Sequence, residues 1–242
     1  MRTGIPLGRF AGVPVFVGIT WLLVVPVVGV ALFAGIEPSQ GGLIWRVVMA
    51  GVGTVLLFAS IVIHELGHVL IARRRGVDVE RVVVFLFGGY SEMDLEAAVP
   101  DDQVAVTVAG PVASVVLAGV LLVPAFVAPE AAGMRSILSL LAVVNVGVAF
   151  LNLLPAYPLD GGRILRALLV GAGVEPARAE RLAVRVGIGC GAVIVGGGVA
   201  LSVAGRPAAL VVVPVGVIVA VLAVAAPPRR DVSRPQAGVE KT

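Results

Sequence analysis

Both histidines of this 242-residue chain belong to one short pattern. His64, Glu65 and His68 stand in the string Ile-His-Glu-Leu-Gly-His, inside an otherwise apolar run. On a helix, positions i and i+4 share one face, so the two imidazoles would converge on one point. This spacing suits two nitrogen ligands of a tetrahedral zinc ion, and Glu65 would reach a water molecule there as a general base. The pattern therefore predicts a metal site.

A chance occurrence, or a purely structural pair of histidines, is the alternative interpretation. A five-residue pattern with three fixed residue types does occur by chance in soluble helices. Here the pattern lies in an apolar run long enough to span a membrane, where ionisable residues are costly and are rarely kept without a function. A leucine would serve stability better at these positions. The context therefore favours a metal site over a structural pair.

Asp160 is the candidate for a third protein ligand, because a catalytic zinc usually has three such ligands and a water molecule. It comes shortly after a later apolar run. Pro155 and Pro158, which precede it, break a helix, and Gly161 and Gly162, which follow it, allow close backbone approach. A broken helix at membrane depth is tolerated where it is buried or lines a cavity. Taken alone, the segment is typical of a helix-ending turn. Beside a metal site that lacks one ligand, it favours coordination by Asp160.

The elements that must position these residues are membrane helices. Hydrophobic residues make up 59% of the chain and charged residues only 14%, which is too apolar for one soluble core. Backbone groups in lipid must be satisfied within the segment, so the runs are helices. The sequence predicts an all-α polytopic membrane protein, with a six-helix domain over residues 1–226 and a disordered cytoplasmic tail over 227–242. The six predicted spans are about 11–35, 47–72, 104–128, 137–154, 186–204 and 207–226.

A small β-element is predicted between the second and third helices. Residues 77–93 are rich in β-branched and aromatic side chains and are punctuated by Gly88 and Gly89, which is typical of a hairpin. The segment is too short to span a bilayer. We therefore expect it to lie at the cytoplasmic face of the membrane.

The positive charges indicate the orientation. With six spans, 15 of the 18 lysines and arginines fall on the side of the two termini, so both termini are predicted to be cytoplasmic. His64 would lie about 13 Å along the helix from Arg73, which marks the cytoplasmic end. The site is therefore expected nearer the cytoplasm. Seventeen arginines against one lysine, with abundant Ala, Val and Gly, are typical of a prokaryote with a GC-rich genome, and the expected location is therefore a prokaryotic plasma membrane.

Composition also excludes several partners and frameworks. Cys190 is the only cysteine, so the chain has no internal disulfide and no cysteine-based zinc site. The net charge of +3 comes from arginines between apolar runs, whereas a nucleic-acid reader needs a basic face interleaved with aromatic residues. No nucleic-acid partner is expected.

Two motifs together resemble the site-2 protease family of intramembrane zinc metalloproteases. They are the His64–His68 pattern and the later segment from Asn152 through Leu159-Asp160-Gly161. Residues 7–14 and 87–89 share the resemblance, so it covers most of the six predicted spans. The resemblance implies one zinc ion held by His64, His68 and Asp160, with Glu65 as the general base. It also implies that Asn152 positions the substrate or stabilises the oxyanion, and that the β-element around Gly88 and Gly89 presents an unwound substrate strand.

The implied activity is hydrolysis of a peptide bond in or near the transmembrane segment of another membrane protein. The implied substrate has a single span and has already been trimmed by a different protease. This sequence departs from longer members of the family in having no PDZ insertion. It also shows no CBS pair in residues 227–242, so no nucleotide partner is expected.

Two other functions use similar ligands. A zinc transporter or sensor would form a transit site from the same cluster, but transporters commonly show inverted repeats and polar residues along a path, and we find neither pattern. A different membrane metalloprotease would take a glutamate as its third ligand, and the later apolar runs contain none.

Overall fold

The structure is a computed structural model, and it describes residues 4–19, 21–85, 88–93, 95, 98–127 and 134–225. The predicted tail at 227–242 and Phe87 lie outside the described residues. The described chain is mostly helical and carries one small sheet. A helical membrane protein with an added β-element is therefore confirmed in outline.

Four helices are long and apolar enough to cross a membrane in the part of the chain that the structure describes. These are α2 (Leu43–Arg74), α3 (Pro100–Val127), α4 (Met134–Asn152) and α6 (Pro176–Val203). Three shorter helices accompany them, namely α1 (Trp21–Gly35), α5 (Asp160–Gly171) and α7 (Val213–Ala225). At about 1.5 Å per residue, α1 and α7 are shorter than a hydrocarbon core about 30 Å thick. The predicted count of six spans thus stays a prediction.

The first predicted span, 11–35, is divided between a strand and a helix. Residues Gly4–Phe10 form β1 and Val13–Gly18 form β2, and helix α1 begins only at Trp21. Ala11 and Gly12 both have positive φ and make the tight turn between the strands. Val13, Val15 and Val17 alternate along β2 and are all buried. This alternation was not recognised in the sequence, because the residues between the buried valines are apolar as well.

The predicted hairpin is present and belongs to a four-stranded sheet. Strands β3 (Val79–Phe85) and β4 (Gly88–Met93) pair antiparallel, and β2 pairs with β3 in parallel, giving the order β1-β2-β3-β4. The buried valines of β2 and β3 pack with Val69 and partly buried Leu66 of α2. The sheet therefore rests on the helix segment that carries the two histidines.

The carboxyl-terminal half is packed closely through small residues. The predicted run 207–226 consists of a 3-10 segment, Pro207–Val212, followed by α7. A methyl group on Gly191 of α6 would lie 2.7 Å from the carbonyl oxygen of Gly216 of α7, so these two backbones are in direct contact. Helix α6 also contacts α5, the helix that begins with Asp160.

Candidate active site

The two histidines lie on consecutive turns of α2, and both are buried. Their ring centroids are 5.1 Å apart with an interplanar angle of 81°. Nε2 of His64 lies 3.3 Å from Oδ2 of Asp160, and Nε2 of His68 lies 3.4 Å from the same oxygen. The structure therefore brings together the three side chains that the sequence predicts as ligands, although 92 residues separate His68 from Asp160 in the chain.

These separations suit a tetrahedral metal ion. Two ligands bound to zinc at about 2.0–2.2 Å in tetrahedral geometry are about 3.3–3.5 Å apart. The two imidazole-to-carboxylate distances fall in that range. Two imidazoles and one carboxylate are also a donor set that catalytic zinc sites use. The residues present thus fit a zinc ion that also binds a water molecule.

Helix α3 holds the outward-facing nitrogen of each imidazole. Nδ1 of His68 donates a hydrogen bond to the carbonyl oxygen of Val106, 2.9 Å away, and Nδ1 of His64 lies 2.9 Å from Oγ of Ser114. Because a carbonyl oxygen only accepts, the proton of His68 is on Nδ1. When the imidazole is neutral, its Nε2 carries the lone pair that can bind a metal ion beside Asp160.

Gly110 of α3 leaves the space between the two imidazoles open. A methyl group at this position would overlap Nε2 of His68 and would lie 2.7 Å from Nε2 of His64. Both nitrogens therefore face the same small volume. Only glycine leaves that volume free for an ion.

The turn before α5 places Asp160. Helix α4 ends at Asn152 and α5 begins at Asp160, as expected from the two prolines. A methyl group on Gly161 would overlap the carbonyl oxygens of Leu153 and Leu154, and one on Gly162 would overlap the backbone of Tyr157. The turn is therefore folded back against the first residues of α5, which fixes the position of the carboxylate.

The carboxylate of Asp160 is held in its ionised form. Burial alone would raise the pKa of Asp160, but the charge and hydrogen bonds of the facing imidazoles, together with Arg163, hold that pKa below its usual range. An ionised carboxylate is the form that binds a metal ion.

We expect Gly162→Ala to destabilise the protein, because its new methyl group has no room against the turn. Overpacking of this kind costs about 1–3 kcal/mol of unfolding free energy. Thermal unfolding in detergent measures the effect. Gly189→Ala in α6, where nothing lies within 4 Å of the new methyl group, is the matched control. Equal melting temperatures for the two variants would contradict the close packing of the turn.

Glu65 is buried and lies beside the two histidines. Its carboxylate oxygen and one ring nitrogen of each histidine all lie within 4.8 Å of one another. The carboxylate of Glu65 is therefore close to the place where the two imidazoles converge.

The hydrogen bond of the Asn152 side chain and the strand pairing of Gly88 and Gly89 go to residues outside the cluster of His64, His68 and Asp160. Asn152 is the last residue of α4, and its amide nitrogen donates to the carbonyl oxygen of Val148 in the same helix, 3.1 Å away. Gly88 and Gly89 are the first residues of β4 and pair with Phe85 and Val84 of β3. They belong to an edge strand of the sheet, and this strand also contacts α2.

Sequence reasoning missed the contribution of α3. Val106, Gly110 and Ser114 are spaced by four residues, so they share one face of that helix. The small residues Gly110 and Ser114 at this spacing are a signal for close helix packing in membranes. That signal could have indicated which helix lies against the histidines.

A family model described as "Peptidase family M50" matches residues 52–130 and 127–194. A Mycobacterium tuberculosis protein named "Putative zinc metalloprotease Rip3" is 38% identical over 207 residues, covering 79% of this chain and 52% of that protein. The zinc metalloprotease MJ0392 of Methanocaldococcus jannaschii is 32% identical over 170 residues, covering 70% of this chain and 46% of that protein. The chain spans about half the length of the curated relatives it matches.

The fold also matches a solved structure. The site-2 protease from Methanocaldococcus jannaschii superposes with a TM-score of 0.60 at 27% sequence identity, over 91% of this chain and 93% of that one. The similarity therefore covers most of both chains.

Proposed function

The chain belongs to peptidase family M50, and on this premise we propose that it is an intramembrane zinc metalloprotease. The observation that carries the proposal is the meeting of His64, His68 and Asp160 at 3.3 and 3.4 Å beside buried Glu65. Its reaction is hydrolysis of a peptide bond within or near the transmembrane segment of another protein.

His64 and His68 would hold the zinc ion through their imidazoles, and Asp160 would hold it through its carboxylate. When bound, zinc supplies a Lewis acid that makes water a competent nucleophile near neutral pH. The ligands are buried, and the low polarity around them strengthens every charge interaction in the site. A zinc ion bound by these three side chains would therefore interact strongly with the carboxylate of Asp160.

Glu65 moves the proton. Its carboxylate takes a proton from the attacking water molecule, whose oxygen forms a bond to the carbonyl carbon of the peptide. When the carbon–nitrogen bond breaks, Glu65 returns that proton to the leaving amine. Asn152 positions the substrate or donates to the developing oxyanion. The buried location of Glu65 keeps its carboxylate away from bulk water.

The sheet presents the substrate. A peptide bond inside a helix is shielded and hydrogen-bonded, so the substrate must unwind before it is cut. Strand β4 is at the edge of the sheet and contacts α2, which favours addition of an extended substrate segment along Gly88 and Gly89. The substrate class is a single-span membrane protein that another protease has already trimmed.

The membrane arrangement completes the proposal. The six apolar segments cross the plasma membrane of a prokaryote, with α1 and the segment 207–225 as the two shorter crossings. The arginines at the carboxyl-terminal end of α2, Arg73 and Arg74, then face the cytoplasm, as do both termini. The site lies nearer that side of the bilayer.

A co-expression assay tests the proposal. The wild-type chain is paired with a panel of tagged single-span proteins, some of which lack their extracytoplasmic domains. We expect the wild type to cut at least one trimmed substrate, with the cut abolished by a membrane-permeant zinc chelator. Cleavage that persists equally in cells without the protein would contradict the proposal.

We expect Asp160→Asn to lower zinc affinity by more than about 100-fold, beyond the usual effect of losing a partner that only orients a ligand. The substitution keeps the size of the side chain but removes the negative charge that faces both imidazoles. Chelator competition with the purified protein measures the dissociation constant. Asp78→Asn, at an exposed position, is the control. An unchanged dissociation constant for Asp160→Asn would exclude Asp160 as a ligand.

A further inference from the structure

Helix α3 contacts the site at three positions spaced by four residues. The carbonyl oxygen of Val106 accepts from His68, Gly110 leaves the open volume, and Ser114 meets His64. The histidines are also four residues apart, on α2. The two helices therefore face each other in register, with one α3 contact for each imidazole and an empty position between them.

The two imidazoles are held by different kinds of group. The partner of His68 is a backbone oxygen, whereas the partner of His64 is a side chain that is 0% exposed. Thr54, Ser60 and Thr107 are also buried, but each donates to a carbonyl oxygen of its own helix, which is the usual behaviour of helical hydroxyls. The hydroxyl of Ser114 instead reaches across to α2.

Resting on the proposed function, we propose that Ser114 is a positioning residue for the metal site. When His64 binds the ion through Nε2, the hydroxyl oxygen of Ser114, 2.9 Å from Nδ1, accepts the Nδ1 proton, and the Nε2 lone pair faces the volume beside Gly110 and Asp160. A His64 imidazole with its proton on Nε2 cannot bind a metal ion through that atom. Ser114 thus selects both the ring orientation and the tautomer that the site needs.

The contribution of Ser114 is measurable because its loss leaves His68 untouched. Removing a partner that orients a metal-binding histidine lowers metal affinity by about 10–100-fold. We expect Ser114→Ala to show a loss of this size in the zinc dissociation constant of the purified full chain. Without zinc, we expect the melting temperature of Ser114→Ala to be close to that of Ser60→Ala, because both substitutions remove one buried hydroxyl.

The matched control is Ser60→Ala. Ser60 is buried on α2, one turn before His64, and its hydroxyl donates to Leu57 of the same helix at 2.7 Å. We expect it to bind zinc as the wild type does. Cobalt-substituted protein provides a second readout, because the visible absorption of Co²⁺ follows ligand geometry. Its bands are expected to shift in Ser114→Ala and to stay in place in Ser60→Ala.

A second variant guards against misfolding. Ser114→Thr keeps an acceptor hydroxyl, so its zinc affinity is expected to stay closer to the wild type than that of Ser114→Ala. Equal zinc affinities for Ser114→Ala and Ser60→Ala, or equal losses for the Ala and Thr variants at Ser114, would overturn the inference. If the wild type itself binds no zinc, the proposed function fails. If the wild type binds zinc and the Ser114 variants bind it equally well, only this inference fails.

Discussion

Glu65→Gln is expected to abolish peptide cleavage while the protein keeps one zinc ion per chain. The substitution preserves the size of the side chain but removes the carboxylate that accepts the proton of water. General acid–base catalysis contributes about 10²–10⁴-fold to a rate, so the residual activity should fall at least that far. The three proposed ligand side chains, those of His64, His68 and Asp160, are themselves unchanged in this variant.

The measurement is a time course of substrate cleavage together with the zinc content of the purified protein. Glu180→Gln in α6 makes the same chemical change away from the cluster and should leave both values at the wild-type level. Cleavage by Glu65→Gln at the wild-type rate would exclude Glu65 as the general base. Loss of zinc from this variant would instead place Glu65 among the ligands.

Gly110→Ala is expected to remove zinc binding and activity together. Its methyl group would overlap Nε2 of His68 and come within 2.7 Å of Nε2 of His64, so both imidazoles would have to turn away. Because both ligand nitrogens are displaced, the loss of zinc affinity should exceed the roughly 100-fold upper range for a single orienting partner. Chelator competition gives the dissociation constant directly.

The same helix offers a matched control. Gly119→Ala lies nine residues, or about two and a half turns, further along α3, where nothing stands within 4 Å of the new methyl group. It should bind zinc as the wild type does, and alanine should favour the helix. If Gly110→Ala retained zinc at wild-type affinity, the ion could not occupy the volume between the two imidazoles.

The meeting of the ligand residues was predictable from the sequence. The i, i+4 spacing fixes His64 and His68 on one face of a helix. Because two histidines leave a catalytic zinc one protein ligand short, Asp160, which follows two helix-breaking prolines, is the candidate for the third. The structure places one carboxylate oxygen of Asp160 3.3 Å from Nε2 of His64 and 3.4 Å from Nε2 of His68. The hairpin at β3 and β4 was predictable as well, because β-branched residues and a Gly-Gly pair interrupt the helical pattern there.

The amino-terminal strands were not predictable from apolarity alone. The run 11–35 is apolar throughout, yet Val13–Gly18 is a strand buried against β3 and the helix begins only at Trp21. Strands that are buried and helices in lipid are both continuously apolar. The parallel pairing with β3 depends on residues more than 60 positions away, which local patterns do not contain.

The contacts from α3 were hidden for a different reason. Val106 contributes only its backbone oxygen, and Gly110 contributes the absence of a side chain. Neither residue type indicates chemistry in a sequence. Ser114 has a polar group, but a serine in an apolar helix usually bonds to its own backbone. Their roles follow from the packing of α3 against α2. In the sequence, the small residues Gly110 and Ser114 are the signal for that packing.

The most direct test of the central claim uses the purified chain reconstituted in proteoliposomes with a trimmed single-span substrate. Peptide cleavage and zinc flux are measured in the same preparation, and the cut is located by mass spectrometry. We predict zinc-dependent cleavage within or next to the spanning segment, towards its cytoplasmic end, without net zinc flux. Zinc flux across the bilayer with no peptide bond broken would contradict the account and identify the cluster as a transport site.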